Sequence, residues 1–490
     1  MHVYTFFSVH EWLFHPTLER LRDRYGARRF SGFVWGEDQA AFLRAGSIDY
    51  APLLVFTRDV LPRLAHAPSA DLDALRRRER RYGVSIHRML WAERHLLQRR
   101  TYDEALQLAE ALFDLIERTL DEARPDCIFS EDVSCLASYI HFVVARDRGI
   151  PFVRVGGARM PGLLSVYDGA PQQWNFTRAR FAELRERGLT DAERRLASTF
   201  VEEFRARPQR PSGMAQRAKL PFASSDDRRR LAVLRDKYRT DPDNPTLVAP
   251  GRSLRHRALR LARSQAAARG SLFERPVPGE RFVLFPIHFQ PEASTLVQAP
   301  YYLDQAALID DLSKSLPVGH RLYVKEHLTN RGRRPLSFYR RIRETLGVRL
   351  LGPDEDTFAL IRDAAAVAVI TGTVGWEGLL LGKPVVSFGE VFFNMHPGVY
   401  RAGRLPKDEW YGLFERAIYG HHHDEELLLQ FVAAIQQTSQ PGAMRSPTTF
   451  PSVLTPERFD QLADAIVWGL REGGHGDLIT ETPSAQARAT

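Results

Sequence analysis

Short apolar runs alternate with amphipathic stretches through both halves of this chain, and each half repeats the order strand, helix, strand. That order marks parallel strands joined by helical crossovers, so two doubly wound α/β sheets are predicted. In the first half, strands are expected at His2–Ser8, Arg29–Trp35, Pro52–Phe56, Cys127–Ser130 and Phe152–Val155. The longest amphipathic stretch there, residues 86–123, sets Leu108, Leu112, Leu115 and Ile116 at helical spacing. In the second half, strands are expected at Phe282–Phe285, Arg321–Lys325, Val348–Leu351, Ala366–Ile370 and Pro384–Phe388. Helices Tyr302–Ser315, Ser337–Leu346, Thr357–Asp363 and Gly375–Leu381 fall between them. A chain of 490 residues is too long for one core. The expected division is a first sheet domain at 1–175, a helical basic connection at 176–280, a second sheet domain at 281–470 and a flexible tail at 471–490.

Charge separates the halves. Residues 1–280 carry 47 basic and 36 acidic side chains, whereas 281–490 carry 21 and 24. The basic excess includes Arg76–Arg78 with Arg80 and Arg81, and the stretch 252–269, where a helix would align Leu254, Ala258 and Leu261 between arginines. Such a field favours anionic partners, including a lipid surface, although a solvated helix packed on its domain has the same pattern. No nucleic-acid motif accompanies it, so nucleic acid is not an expected partner. The two cysteines, Cys127 and Cys135, lack CxxC spacing and predict reduced, structural thiols. The opening MHVYTFFSVHEWLFHP has no basic region or small-residue cleavage site and predicts a strand. No window reaches eighteen apolar residues, and a cytoplasmic location, peripheral at the inner membrane face, is the expectation.

Three segments of the second half carry candidate chemistry. In VITGTVGWEGLLLGKPVVSFG, residues 369–389, a buried strand runs through Thr371-Gly372-Thr373 into a helix. The first amides of such a helix favour an anion, Gly372 permits close approach, and both threonines add hydroxyls. Glu377, one turn in, is placed to accept from a ribose, and Gly382-Lys383-Pro384 leads to the next strand. In FPIHFQPEAST, residues 285–295, His288, Gln290 and Glu292 alternate along a proline-stiffened loop at a strand's carboxyl end. There they suit a sugar or acceptor clamp, with His288 and Glu292 as candidates for proton transfer, or simply a loop capping the next helix. In LYVKEH, a strand delivers Lys325, Glu326 and His327 to one edge, where cations suit a phosphate or carboxylate.

These segments, with FYRRIRETLGVRLLGPDEDTFALIRDAAAVAVITGTVGWEGLLLGKPVVSFG, resemble the capsular polysaccharide synthesis family, which includes bacterial capsule β-Kdo transferases. The likeness spans residues 281–400; the first half matches in architecture alone. It implies a GT-B-like fold, with two Rossmann-type domains facing across a cleft, and a metal-independent glycosyltransferase without a cofactor. The implied partners are a nucleotide sugar such as CMP-Kdo, a polysaccharide or glycolipid acceptor, and a polysaccharide-assembly contact at the membrane. The family's His-Pro motif falls on His327, here followed by Leu328, so that motif does not fix the nucleotide. Alternatives within the same donor-site chemistry are a sugar-nucleotide epimerase and a CDP-polyol phosphotransferase. A non-catalytic assembly subunit is the alternative outside enzymes.

In the first domain, PDCIFSED ends a strand with Glu131 and Asp132, either of which could activate an acceptor hydroxyl. Asp132 equally suits the N-cap of a helix Val133–Arg146. Three other patterns are read as structural: Asp354-Glu355-Asp356 as helix capping, His421-His422-His423-Asp424 as a solvated helix start, and Val155-Gly156-Gly157 as a strand exit.

Overall fold

The computed structural model describes residues 1–65, 69–93, 96–97, 100–208, 225–270, 272–444 and 453–481. They form two compact units. The first comprises 1–176, 232–250 and 438–490, and the second 177–231 and 251–437.

In the first unit β1 (His2–Phe6), β2 (Arg29–Val34), β3 (Tyr50–Val55), β4 (Cys127–Ser130) and β5 (Phe152–Gly157) are parallel, in the spatial order β3-β2-β1-β4-β5. β1, β2 and β4 are almost wholly buried, which is why they read as unbroken apolar runs. β6 (Leu163–Tyr167) returns antiparallel beside β5. The long helix, Tyr102–Ala123, starts at a Thr101–Glu104 capping box and buries Leu108, Leu112, Leu115 and Ile116. It is separate from Ile86–Trp91, so the expected single stretch is two helices.

The domain boundary at 470 is corrected. Residues from Thr438 onward belong to the first unit, where Ser439–Pro441 would have been assigned to the second. That segment pairs antiparallel with β6 as an edge strand. Helix Pro456–Glu472 then packs on the same sheet. Its Gly469 lies so close to β5 and β6 that an added Cβ would meet Val166 at 2.6 Å. Arg20 and Arg24 hold Asp460, and the Tyr25 hydroxyl donates to Asp464 at 2.5 Å. The described part of the expected flexible tail is also placed, with the Thr480 amide donating to the Tyr25 carbonyl; residues 482–490 lie outside the described residues.

The second unit has six parallel strands among the described residues: β7 (Phe282–Pro286), β8 (Arg321–Lys325), β9 (Val348–Leu351), β10 (Ala366–Val369), β11 (Val385–Ser387) and β12 (Val399–Arg401). Their spatial order is β9-β8-β7-β10-β11-β12. Both sheets therefore reverse direction next to their first strand, at β1/β4 and at β7/β10, and ligands of such sheets bind where that reversal opens the carboxyl edge. Among the described residues, no helix is long and apolar enough to cross a membrane.

The basic helix spans Pro250–Arg269 in full. Arg260 and Arg263 donate to the carbonyls of Arg331 and Arg333, so one side packs on the loop after β8. Leu254 is 41% exposed. Cys127 and Cys135 are free and buried, and burial pushes the Cys127 thiol up to about 12, far from a reactive thiolate.

Ile466→Ala tests the reassigned helix. It should cost about 2–5 kcal/mol and speed hydrogen exchange in β1, β5 and β6, leaving β7–β12 unchanged. Faster exchange confined to β7–β12 would contradict the assignment.

Candidate functional site

At the β7/β10 reversal the two loops are tied by one imidazole. His288, just beyond β7, accepts a hydrogen bond at Nε2 from the Thr371 amide, just beyond β10, at 3.1 Å. Gln305 grips the His288 backbone from both sides, accepting from its amide at 2.8 Å and donating to its carbonyl at 3.1 Å. Arg334 Nη2 donates to the same carbonyl at 2.7 Å. Burial drives the His288 pKa down to about 3, with nearby His327 and Arg334 adding to the effect. The ring is therefore neutral, with its Nε2 lone pair spent on Thr371. The proton-transfer role expected of His288 is not what this geometry serves; it is a clasp that positions the turn.

The clasp explains Gly372. A Cβ there would sit 2.8 Å from His288 Nε2. Thr371 is also consumed: its hydroxyl donates to the Ser294 carbonyl at 2.8 Å, so it is not the phosphate donor the sequence suggested. Helix Thr373–Leu380 follows with Gly372 as a cap that has no side chain to bond the first amides. The amides of Thr373 and Val374 have no acceptor inside the helix, whereas that of Gly375 donates to the Gly372 carbonyl at 3.0 Å, and the dipole adds positive potential at the same point. Glu377 is buried on this helix, one turn in.

The other loop residues diverge. Gln290 donates to the Leu303 carbonyl at 3.1 Å, while Glu292 accepts from the Ser294 hydroxyl at 3.2 Å. The expected row of His288, Gln290 and Glu292 along one side is thus not formed: His288 holds Thr371, Gln290 reaches Leu303, and Glu292 turns to Ser294 at the start of its own next helix. After β8, Lys325 is buried and donates to the carbonyls of Glu326 and Pro353, both at 3.3 Å. His327 Nδ1 accepts from the Thr329 hydroxyl at 2.7 Å, leaving Nε2 as the protonated nitrogen. Burial first, then Lys325 and Arg334, lowers its pKa to about 4. His327 therefore offers an N–H donor and no positive charge near neutral pH.

Asp356 caps helix Thr357–Asp363 through the Phe358 amide, and Asp354 pairs with Arg331, so the acidic triplet is divided between two structural tasks. Asp424 accepts from the Leu427 amide at the start of helix Glu425–Gln437. Among the described residues no group of three or more His, Cys, Asp or Glu side chains is arranged to hold a metal.

In the first unit the β1/β4 reversal gathers a second cluster. Glu131, directly after β4, bonds His10, in the loop between β1 and the helix Glu11–Tyr25, at 3.0 Å. The Glu131 side chain is 40% exposed and that of His10 only 16%. Asp132 is committed elsewhere: it accepts from its neighbour's amide at Val133 and from Gln172, and it faces Arg154, whose guanidinium is fully buried against Phe142 and Tyr167. It does not cap a helix at Val133, since the helix begins at Leu136 with Cys135 as its cap. Of the two carboxylates, Glu131 is the more exposed. The sequence pattern does not single out His10, although the loop after a first strand, where it lies, is the place the carboxyl-edge rule points to.

The chain thus has a GT-B-like fold class, two Rossmann-type units with additional helices. Residues 281–411 match the family model described as capsule polysaccharide biosynthesis protein, and the resemblance to that family holds over this stretch. No curated protein sequence matches. Solved structures similar to the chain include the β-Kdo 2,7 transferase of Thermosulfurimonas dismutans KpsC, at 13% identity and TM-score 0.36, covering 66% of this chain and 80% of that one. The β-Kdo 2,4 transferase of the same KpsC has 15% identity and TM-score 0.32, covering 70% and 87%. UDP-GlcNAc 2-epimerase from Neisseria meningitidis, bound to UDP-GlcNAc, has 12% identity and TM-score 0.24, covering 89% and 98%.

The His10–Glu131 pair makes a pH prediction. Burial alone would lower the His10 pKa, but the Glu131 carboxylate, aided by Glu11, raises it above 6.5. A raised folded value means the pair's stabilisation is complete below the unfolded pKa and fades as pH rises through the folded one. The stability lost in Glu131→Gln should therefore be larger near pH ~5.5 than near pH ~8.5. A pH-independent difference, or a His10 NMR titration midpoint below 6.5, would contradict the pairing.

Proposed function

We propose that the protein is a glycosyltransferase of the capsule polysaccharide type, moving a sugar from a nucleotide donor to a polysaccharide or glycolipid acceptor. The observation that carries this reading is the turn at β10: a clasped Thr371, a side-chain-free cap at Gly372 and a helix whose first two amides, Thr373 and Val374, are left for an anion. The donor's phosphate sits on the amides beginning at Thr373, with the Thr373 hydroxyl beside it. Glu377 accepts from the ribose hydroxyls, and the His327 N–H donor with the Lys325 charge supports the departing phosphate. Gln290 and Glu292 line the sugar side.

Glu131 is the base that removes the acceptor hydroxyl's proton as its oxygen attacks the donor's anomeric carbon and the nucleotide leaves. In this account the helix amides supply the charge stabilisation that a bound cation supplies in other transferases, and no cofactor is called for. Kdo or a related acidic sugar is the proposed cargo, consistent with the family match at 281–411. Work at the inner face of the membrane, next to the polysaccharide-assembly machinery, fits the arginine-rich helix Pro250–Arg269.

Screening CMP-, UDP-, GDP- and CDP-linked sugars by thermal shift tests the donor site. A donor present at about a hundred times its dissociation constant should add about 2.7 kcal/mol of stability. Glu377→Gln should remove most of that gain. A variant that responds like the parent would place the ribose elsewhere, and no response to any donor would overturn the transferase reading.

A further inference from the structure

The arginine cluster of the first unit has no part in the transfer chemistry. It lies on helix Leu72–Tyr82, which Gly83, Val84 and Ser85 join to helix Ile86–Trp91. Together residues 72–91 hold six arginines against Asp73 and Glu79. One arginine is structural: Arg78 bonds Asp114 and Glu117 of helix Tyr102–Ala123, on the side where Leu75 and Tyr82 are buried. Arg76, Arg77, Arg80 and Arg81 are exposed instead, and the next helix adds an exposed Arg88. Both helices pack on the same pair, Tyr102–Ala123 and Leu136–Asp147, so both turn their outer sides away from the sheet.

These charges are loosely held. Arg76 pairs with Asp73 at 2.9 Å, Arg77 with Asp71 at 3.8 Å and Arg81 with Asp147 at 2.7 Å, and each of the three arginines is more than half exposed. Exposed pairs of this kind add little stability, so an outside anion can take them over. Among the described residues, Arg80 and Arg88 have no ion-pair partner at all.

Aromatic surface accompanies the charge. Trp91, at the end of the second helix, is 63% exposed, and Tyr102 is 57% exposed. His87 lies one turn before Trp91, and its ring stacks on Tyr102 with centroids 5.6 Å apart, the hydroxyl 3.1 Å from Nε2. Tryptophan is highly buried on average, and grouped aromatic rings left in water mark a contact surface.

Composition selects the partner. The core of a protein–protein interface is depleted of charge, whereas five exposed arginines stand with these rings. A saccharide would stack on the rings and leave the arginine row without a task. Tryptophan and tyrosine at headgroup depth, with guanidinium groups on phosphates, is the makeup of a lipid interface.

We propose that the outer side of helices Leu72–Tyr82 and Ile86–Trp91 docks on an anionic bilayer, with Trp91 and Tyr102 among the headgroups and Arg76, Arg77, Arg80 and Arg88 on lipid phosphates. The proposal rests on the membrane location given above and assigns it a surface in the first unit, distinct from helix Pro250–Arg269.

Co-sedimentation of the full chain with vesicles of phosphatidylcholine, alone or mixed with phosphatidylglycerol, tests it. The parent should bind mixed vesicles about tenfold or more tightly than neutral ones, and less tightly as salt rises. Arg80→Glu with Arg88→Glu should weaken that binding by about tenfold or more, whereas Arg80→Lys with Arg88→Lys should keep it within about twofold. Trp91→Ala should weaken it by about threefold or more. All three positions are exposed, and an unchanged melting temperature separates these losses from unfolding.

Binding that survives both the glutamate pair and Trp91→Ala would overturn the surface. Were binding lost instead in Arg255→Glu with Arg269→Glu, the membrane location would stand on helix Pro250–Arg269 and this surface would fall. A lysine pair as weak as the glutamate pair would mean a shaped protein or saccharide site and overturn the lipid assignment. A parent that binds no vesicle would overturn the membrane location and this surface together, leaving the donor-site reading untouched.

Discussion

The hydrogen bond from the Thr371 amide to His288 Nε2 is the contact on which the second unit's carboxyl edge depends. It joins the loops of two neighbouring strands where the sheet order reverses, the one place at which adjacent loops would otherwise part. A neutral imidazole is needed, because a protonated ring has no lone pair to accept with. Burial provides that neutrality, and the lowered pKa is the same fact seen from the side of the proton. Gly372 follows from the clasp, since the imidazole occupies the volume a side chain would need.

The first unit solves the same topological problem with different chemistry. There the loops after β1 and β4 are joined by His10 and Glu131, a pair that gains from the imidazole's charge, where the other clasp requires its absence. One edge thus presents an exposed carboxylate and the other a helix start whose Thr373 and Val374 amides have no acceptor within the helix. Arg154 supports the first edge from below: buried among Phe142, Phe152 and Tyr167, it faces Asp132 and donates to the Gly169 carbonyl, removing Asp132 from the candidates for catalysis.

Both sheets were legible in the sequence because parallel strands buried on both faces read as continuous apolar runs. Arg321–Lys325 and Val348–Leu351 stand at their expected limits. The short edge strands were not legible: Ser439–Pro441 has a polar sequence ending in proline, and only its pairing with β6 makes it a strand. Helix Pro456–Glu472 was not among the expected elements, and even its apolar period carries no address for the sheet it covers. At the site, the turn at 371–373 and the helix after it stood out by spacing alone. What spacing could not tell was that Thr371 would be consumed, that His327 would lose its charge to burial beside Lys325 and Arg334, or that His10 would meet a glutamate 121 positions away. Each depends on contacts between loops distant in the chain.

The most direct measurement is a crystal structure of the protein with CMP or UMP bound. The account predicts a phosphate oxygen within hydrogen-bond distance of the backbone amides at the start of helix Thr373–Leu380, with the His288–Thr371 bond intact. A nucleotide whose phosphate lies away from that turn, or one that touches neither the Thr373 nor the Val374 amide, would contradict it.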